Sequence, residues 1–307
     1  MSFRGPTYEG PGLMPNDDDP AVLDARAQLF QLLRRLGNQG KYEDGHAIGV
    51  FGSCAKAARP GSDVLQGEQH YSPHTRTAIA ASLHYLNRCN VAVVVAGGTT
   101  GVAQAAQEAA EVHASRMHVV QVVPERALTG EEAPFTPESY LFASPVNNVV
   151  RFDRGNPRAL GGWNQSSNQV IRVDVGYGWD ERKSYLAKSV FLALLFEGGP
   201  GAAVECEIVR RNGGYVLPIG CTGGVAGGES PYSVLRPDFT APTFLDADAT
   251  LLWNEVCDPR KCLARFRGPP DGPSTLAVDI FNIVRQCFAS DKYEEWRAKQ
   301  ERTLFFS

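Results

Sequence analysis

Between residues 46 and 220, short runs that are almost wholly apolar alternate with longer amphipathic ones. "HAIGVFGSC", "VAVVVA", "MHVVQVVP", "VIRVDV", "VFLALLF" and "GYVLPIG" are strand-sized and rich in valine, isoleucine and leucine. Between them lie "SPHTRTAIAASLHYLNRC", "VAQAAQEAAEVHA", "DERKSYLAKS" and "AAVECEIVRRN", which carry apolar residues at helical spacing. Ser72 caps the first of these with Pro73 at its first position, and Gly213 closes the last. Strands without polar alternation are buried on both faces. The pattern therefore predicts an α/β, Rossmann-like parallel sheet with helices on both sides.

The pattern also predicts where that regularity stops. Residues 1–18 are rich in Gly, Pro and Asp and have no period, so a mobile N-terminal arm is expected. Asp19 then caps a helix that starts at Pro20 and runs through "AVLDARAQLFQLLRRLG". From Glu125 to about Gln169 there is turn chemistry and no sustained period, which predicts an insertion over about 128–170. "CTGGVAGG" reads as a glycine-rich loop at a strand end. "TFLDADATLLWNEV" and "PSTLAVDIFNIVRQCFASDKYEEWRAKQ" read as helices of a C-terminal extension over about 240–307. With no internal repeat and no linker-like stretch, residues 19–307 are expected to form one domain.

Composition narrows the function classes. The chain has 307 residues, 43% of them hydrophobic and 21% charged, with a net charge of −4. Mild acidity gives no footprint for a nucleic-acid polymer, and the longest apolar runs are too short to span a bilayer, so neither partner is expected. No charged segment followed by an apolar one opens the chain, so no secretory signal is expected. Seven scattered cysteines without a CxxC form neither a disulfide framework nor a zinc site, which points to a reduced, cytoplasmic compartment. The six histidines show no HxxxH or HExxH spacing, so no metal is expected.

Candidate chemistry gathers at the strand ends. Gly52-Ser53, Gly97-Gly98, Gly198-Gly199 and Gly220-Cys221 are small residues where an open parallel sheet binds its ligands. "AGGTTGVAQAA" has a G-G-x-x-G turn, with Glu125 at the next strand end as a ribose-binding acid, and this is a weak match to a dinucleotide fingerprint. "FEGGPGAAVE" is more informative. Its glycines and proline open a helix, where first-turn N–H groups face an anion, and Glu205 lies four residues beyond Gly201 on the same helical face. Ser53, Thr99 and Thr100 either donate to ligand oxygens or cap their own turns. Cys54 and Cys206 read as small packing residues, and Glu207 as a solvated or salt-bridged one.

"DERKSYLAKSVFLALLFEGGPGAAVE" resembles the signature of the LONELY GUY family, formerly called lysine-decarboxylase-like. In that family an R-K helix precedes a strand and the motif P-G-G-x-G-T-x-x-E. Arg182 and Lys183 match the R-K pair, and Gly198, Gly199, Gly201 and Glu205 match the G, G, G and E positions. "IGVFGSC" and "AGGTTGVAQAA" are similar to the family's earlier segments, so the likeness covers about Ala47 to Gly220. Glu197 stands where the family has proline, Ala202 where it has threonine, and Thr99 where it has a third glycine. The resemblance implies a homodimeric hydrolase that cleaves the N-glycosidic bond of a nucleoside 5′-monophosphate, with no cofactor. A nucleotide-binding sensor without turnover is the alternative within the wider superfamily. By the family pattern Arg182 and Glu205 are catalytic, and the turn of Gly198, Gly199, Gly201 and Ala202 holds phosphate. Gly52, Ser53, Gly97, Gly98, Thr99 and Lys183 complete the expected substrate site.

Overall fold

The computed structural model describes residues 20–38, 45–52, 73–86, 88–97, 101–113, 117–123, 149–151, 170–174, 178–229, 232–268 and 274–305. The expected N-terminal arm lies outside these residues, as does most of the 128–170 insertion. Seven strands form one sheet: β1 (His46–Gly52), β2 (Val91–Gly97), β3 (His118–Val123), β4 (Val149–Arg151), β5 (Val170–Asp174), β6 (Leu192–Phe196) and β7 (Tyr215–Pro218). Their order across the sheet is β4-β5-β3-β2-β1-β6-β7, and every pairing is parallel. The α/β Rossmann-like architecture is thus present.

The helices are α1 (Pro20–Gly37), α2 (Pro73–Leu86), α3 (Val102–His113), α4 (Gly178–Lys188), α5 (Pro200–Arg211) and α6 (Gly224–Gly227). Then follow α7 (Ala247–Cys257), α8 (Pro259–Arg267), α9 (Leu276–Phe288) and α10 (Asp291–Phe305). One hydrophobic cluster joins α2, α3, α7 and α9 to one face of the sheet through Ile48, Val94, Leu194, Trp253 and Ile280. The other joins α1, α4 and α5 to the opposite face through Val93, Val95, Leu195, Leu186 and Val209. The valine-rich strands are buried on both sides because their side chains alternate between these two clusters.

Three elements differ from the reading of the pattern. β4 lies inside the expected irregular stretch, pairing Val149 with Arg172 and Arg151 with Asp174 at the sheet edge. A three-residue strand is too short to carry a period, and its partner alone fixes it. Part of "CTGGVAGG" is not loop: Gly220–Thr222 is a 3-10 turn and α6 follows it. Helix α8 falls between the two C-terminal stretches read as helices. Asp258 caps it by accepting from the N–H groups of Arg260 and Lys261.

The chain leaves β1 through β2 and β3 on one side and returns through β6 and β7 on the other. The direction of winding therefore reverses between β1 and β6. In open parallel sheets that reversal leaves a crevice at the carboxyl ends of the strands, where Gly52 and the residues after Phe196 lie.

Candidate functional site

Helix α5 begins against that crevice. Gly199 is its N-cap in extended conformation, Pro200 is its first residue, and no side chain caps it. The first intrahelical bond runs from the Ala203 N–H to the Gly199 carbonyl at 3.1 Å. The N–H groups of Gly201 and Ala202 therefore precede the helical ladder and point outward along the positive end of the helix dipole. Among the described residues, nothing lies within 4 Å of where a Cβ on Gly199 would stand.

The turn is held in an unusual backbone. Glu197 has φ 56° and Gly198 has φ 101°, so two successive residues are left-handed. Glycine tolerates this. A glutamate is strained by roughly 1–2 kcal/mol, and several bonds hold it in place. Its carboxylate accepts a 2.6 Å bond from the Thr75 hydroxyl on α2, and its N–H donates to the Thr222 hydroxyl at 2.8 Å. The carbonyls of Glu197 and Gly198 accept from Ala226 and Val225 of α6 at 2.9 and 3.1 Å. A Cβ on Gly224 would come within 2.5 Å of the Gly198 carbonyl oxygen, so α6 can brace the turn only with glycine there. The negative charge of Glu197 is thus turned toward α2.

One turn inside α5, the Glu205 carboxylate accepts a 2.6 Å bond from Nη1 of Arg182 on α4. Both side chains are buried, 6% and 4% exposed. Gly97, the last residue of β2, closes this pair from the sheet side. A Cβ there would lie 2.2 Å from Arg182 Nη1 and 3.0 Å from Glu205 Oε1. Three elements far apart in sequence meet at one charged contact. A buried ion pair of this kind is an expensive way to stabilise a fold, and such groups gather where chemistry needs them.

The remaining expected residues take different roles. The Lys183 side chain passes the first turn of α5, with its Cε 3.7 Å from where a Cβ on Gly201 would be. Ala202 is 4% exposed and its methyl packs under Gly198, so its outward contribution is its N–H. Gly52 is glycine for packing, since a Cβ would strike the Phe196 carbonyl oxygen at 2.1 Å and Val102 at 2.6 Å. Ser53, Gly98, Thr99, Thr100 and Glu125 lie outside the described residues. Glu207 pairs with Arg211 one turn along α5. Burial pushes the Cys206 thiol well above its ordinary acidity range, as suits a packing residue.

Sequence reasoning missed Thr75, Thr222 and the left-handed Glu197. No periodic or compositional signal marks them, because each matters only through a partner brought from another strand or helix. Among the described residues no helix is long and apolar enough to cross a membrane. Among the same residues, no group of three or more His, Cys, Asp or Glu side chains could hold a metal ion.

Comparison with known proteins adds little to this geometry. No protein-family model matches the chain, and no curated protein matches it. Among solved structures it is similar to the X-ray structure of TM1055, a structural-genomics target whose name states no activity. The two share 18% identity with a TM-score of 0.33, over 58% of this chain and 76% of that one.

Proposed function

We propose that the chain is a hydrolase of the LONELY GUY kind, cleaving a nucleoside 5′-monophosphate to free base and ribose 5-phosphate. One observation carries the reading: the buried Arg182–Glu205 pair stands one turn inside a helix whose N-terminus has no side-chain cap among the described residues. Phosphate bound by the N–H groups of Gly201 and Ala202, with the Lys183 ammonium beside it, directs the ribose along α5. Glu205 lies about 6 Å farther along the helix, the rise of four residues. As the bond to the base breaks, positive charge develops on the sugar ring. The fixed carboxylate stabilises that charge and orients the water that attacks C1′. Arg182, planar and always charged, holds the carboxylate in place.

A sensor that binds the nucleotide without turnover uses the same cradle. Ala202 favours it, because the resembled family has there a hydroxyl able to bond phosphate. The resemblance further supports a homodimer, which sedimentation would test.

The deciding experiment follows base release by chromatography across purine and pyrimidine monophosphates. The hydrolase reading expects release by the wild type, and a fall of about two to three orders of magnitude in Glu205→Gln with ground-state binding retained. Tight binding without any base release would replace the hydrolase by the sensor. Equal thermal stabilisation by AMP and adenosine would remove the phosphate cradle from both readings.

A further inference from the structure

Two helix N-termini border the crevice between β1 and β6. Helix α2 packs on one face of the sheet through Ala78, Ile79 and Leu83, and α5 packs on the other through Ala203, Val204 and Val209. Both begin at the carboxyl end of β6: α5 starts at Pro200, and Thr75 in the first turn of α2 bonds Glu197, the residue that follows β6. Backbone N–H groups outside the helical ladder and the positive end of the dipole make each such terminus a place for an anion. A crevice bordered by two of them has the makings of a site for two phosphate groups.

The chain treats the two termini differently. Among the described residues no side chain caps α5, whereas at α2 the Glu197 carboxylate already stands in the first turn. Its Oε1 accepts the 2.6 Å bond from the Thr75 hydroxyl, and both residues are buried. A threonine hydroxyl has one proton to give, so this bond fixes where the carboxylate points. Thr222 is committed in the same way. Its hydroxyl donates to the Ile219 carbonyl at 2.7 Å, which leaves its oxygen to accept the Glu197 N–H at 2.8 Å. Glu197 is therefore pinned at its backbone and at its carboxylate. The left-handed turn alone does not call for glutamate, since glycine takes φ 56° without strain. What glutamate adds there is a negative charge at the start of α2.

We propose that Glu197 is a specificity-determining residue that limits the crevice to ligands with a single phosphate group. Its carboxylate occupies the α2 terminus, where a second phosphate would otherwise bind, and repels one that approaches. The α5 terminus stays available to the first phosphate, because the charge is turned to the other helix. A nucleoside monophosphate is admitted, and a nucleoside diphosphate or a pyrophosphate-linked dinucleotide is rejected. Like charges repel far more strongly in a site of low dielectric than in water, so one carboxylate suffices for a discrimination of about tenfold or more. The inference rests on the reading of the α5 turn as the phosphate cradle, and adds to it what sets the number of phosphates.

The test is calorimetric titration of the full-length protein with AMP, ADP and adenosine, without divalent cations. The wild type should bind AMP about tenfold or more tightly than ADP. Glu197→Gln keeps an oxygen for the Thr75 hydroxyl and removes the charge, and should raise the ADP-to-AMP affinity ratio by about tenfold. Where that variant folds poorly, Glu197→Gly serves, because glycine adopts the left-handed φ freely, and the same rise is expected. A merely structural role would weaken both nucleotides together and leave the ratio alone. A wild type that binds ADP as tightly as AMP, or a ratio that neither variant moves, overturns the role of Glu197 while leaving the cradle in place. A wild type that binds AMP no more tightly than adenosine overturns the cradle itself, and this inference with it.

Discussion

The two ends of the same parallel sheet are built on opposite principles. At the amino ends, His46 of β1 stacks on Phe288 with ring centres 4.5 Å apart, and its Nδ1 lies 3.2 Å from the Tyr293 hydroxyl. Phe191, just before β6, meets Tyr215 at 5.4 Å, Tyr293 at 5.4 Å and Trp296 at 5.7 Å. Helices α9 and α10 supply half of that cluster. At the carboxyl ends the chain gathers a buried ion pair, two left-handed residues and glycines pressed against backbone. Aromatic contacts of this kind stabilise through area and ring geometry. A buried charge pair and a strained turn do the reverse, and the proposed function gives a reason for their presence at the carboxyl ends. On the proposed reading, stability and function are separated along the strand axis.

Substitutions at the two ends should behave differently, and the carboxyl end gives the largest contrast. Glu205→Ala or Arg182→Ala leaves a lone buried charge and should cost about 3–5 kcal/mol in urea unfolding. The double change Arg182→Met with Glu205→Leu should recover that loss, matching or exceeding the wild type in stability while abolishing any monophosphate-induced rise in Tm. If the double variant stays as unstable as the singles, the pair is structural and the comparison breaks.

Phe191→Ala at the amino end should cost about 3–5 kcal/mol, the usual range for emptying a large aromatic site. No apolar partner change should rescue it, and ligand affinity per folded molecule should be unaltered. A loss of affinity in material that remains folded would join the two ends.

Gly97→Ala sharpens the contrast at the site. Its methyl cannot coexist with Arg182 Nη1 in the present arrangement. A cost of about 1–3 kcal/mol is expected, together with a fall in nucleotide-induced stabilisation. A variant with unchanged binding would show that the guanidinium position does not matter to the ligand.

The smallest effect is a pH dependence at the amino end. His118, the first residue of β3, has a buried Nδ1 with no hydrogen-bond partner among the described residues, and burial lowers its pKa. The folded chain thus keeps this ring neutral where the unfolded chain protonates it. Its contribution to stability is present above the unfolded value of about 6.5 and is lost as pH falls below it. Tm followed from neutral to acidic pH should decline less steeply in His118→Gln than in the wild type. Parallel curves would remove His118 from the account.

Much of this could be read in the sequence, because much of it is local. Continuous valine runs dictate strands buried on both faces wherever they lie. Pro20 and Pro73 set helix starts, and G-G-P-G-A-A-V-E opens a helix and puts Glu205 one turn inside it. Each rests on backbone geometry within a few residues. What the sequence could not decide is which strand lies beside which. The order that places β6 against β1 brings Gly52 under the Phe196 carbonyl, and the packing of β2 against α4 and α5 makes Gly97 the wall of the Arg182–Glu205 contact. The left-handed Glu197 depends on Thr75 and Thr222, which are 122 and 25 residues away along the chain. Periodicity reports on near neighbours and on burial. Charged contacts and strained turns are fixed by long-range packing, so only the tertiary structure decided them.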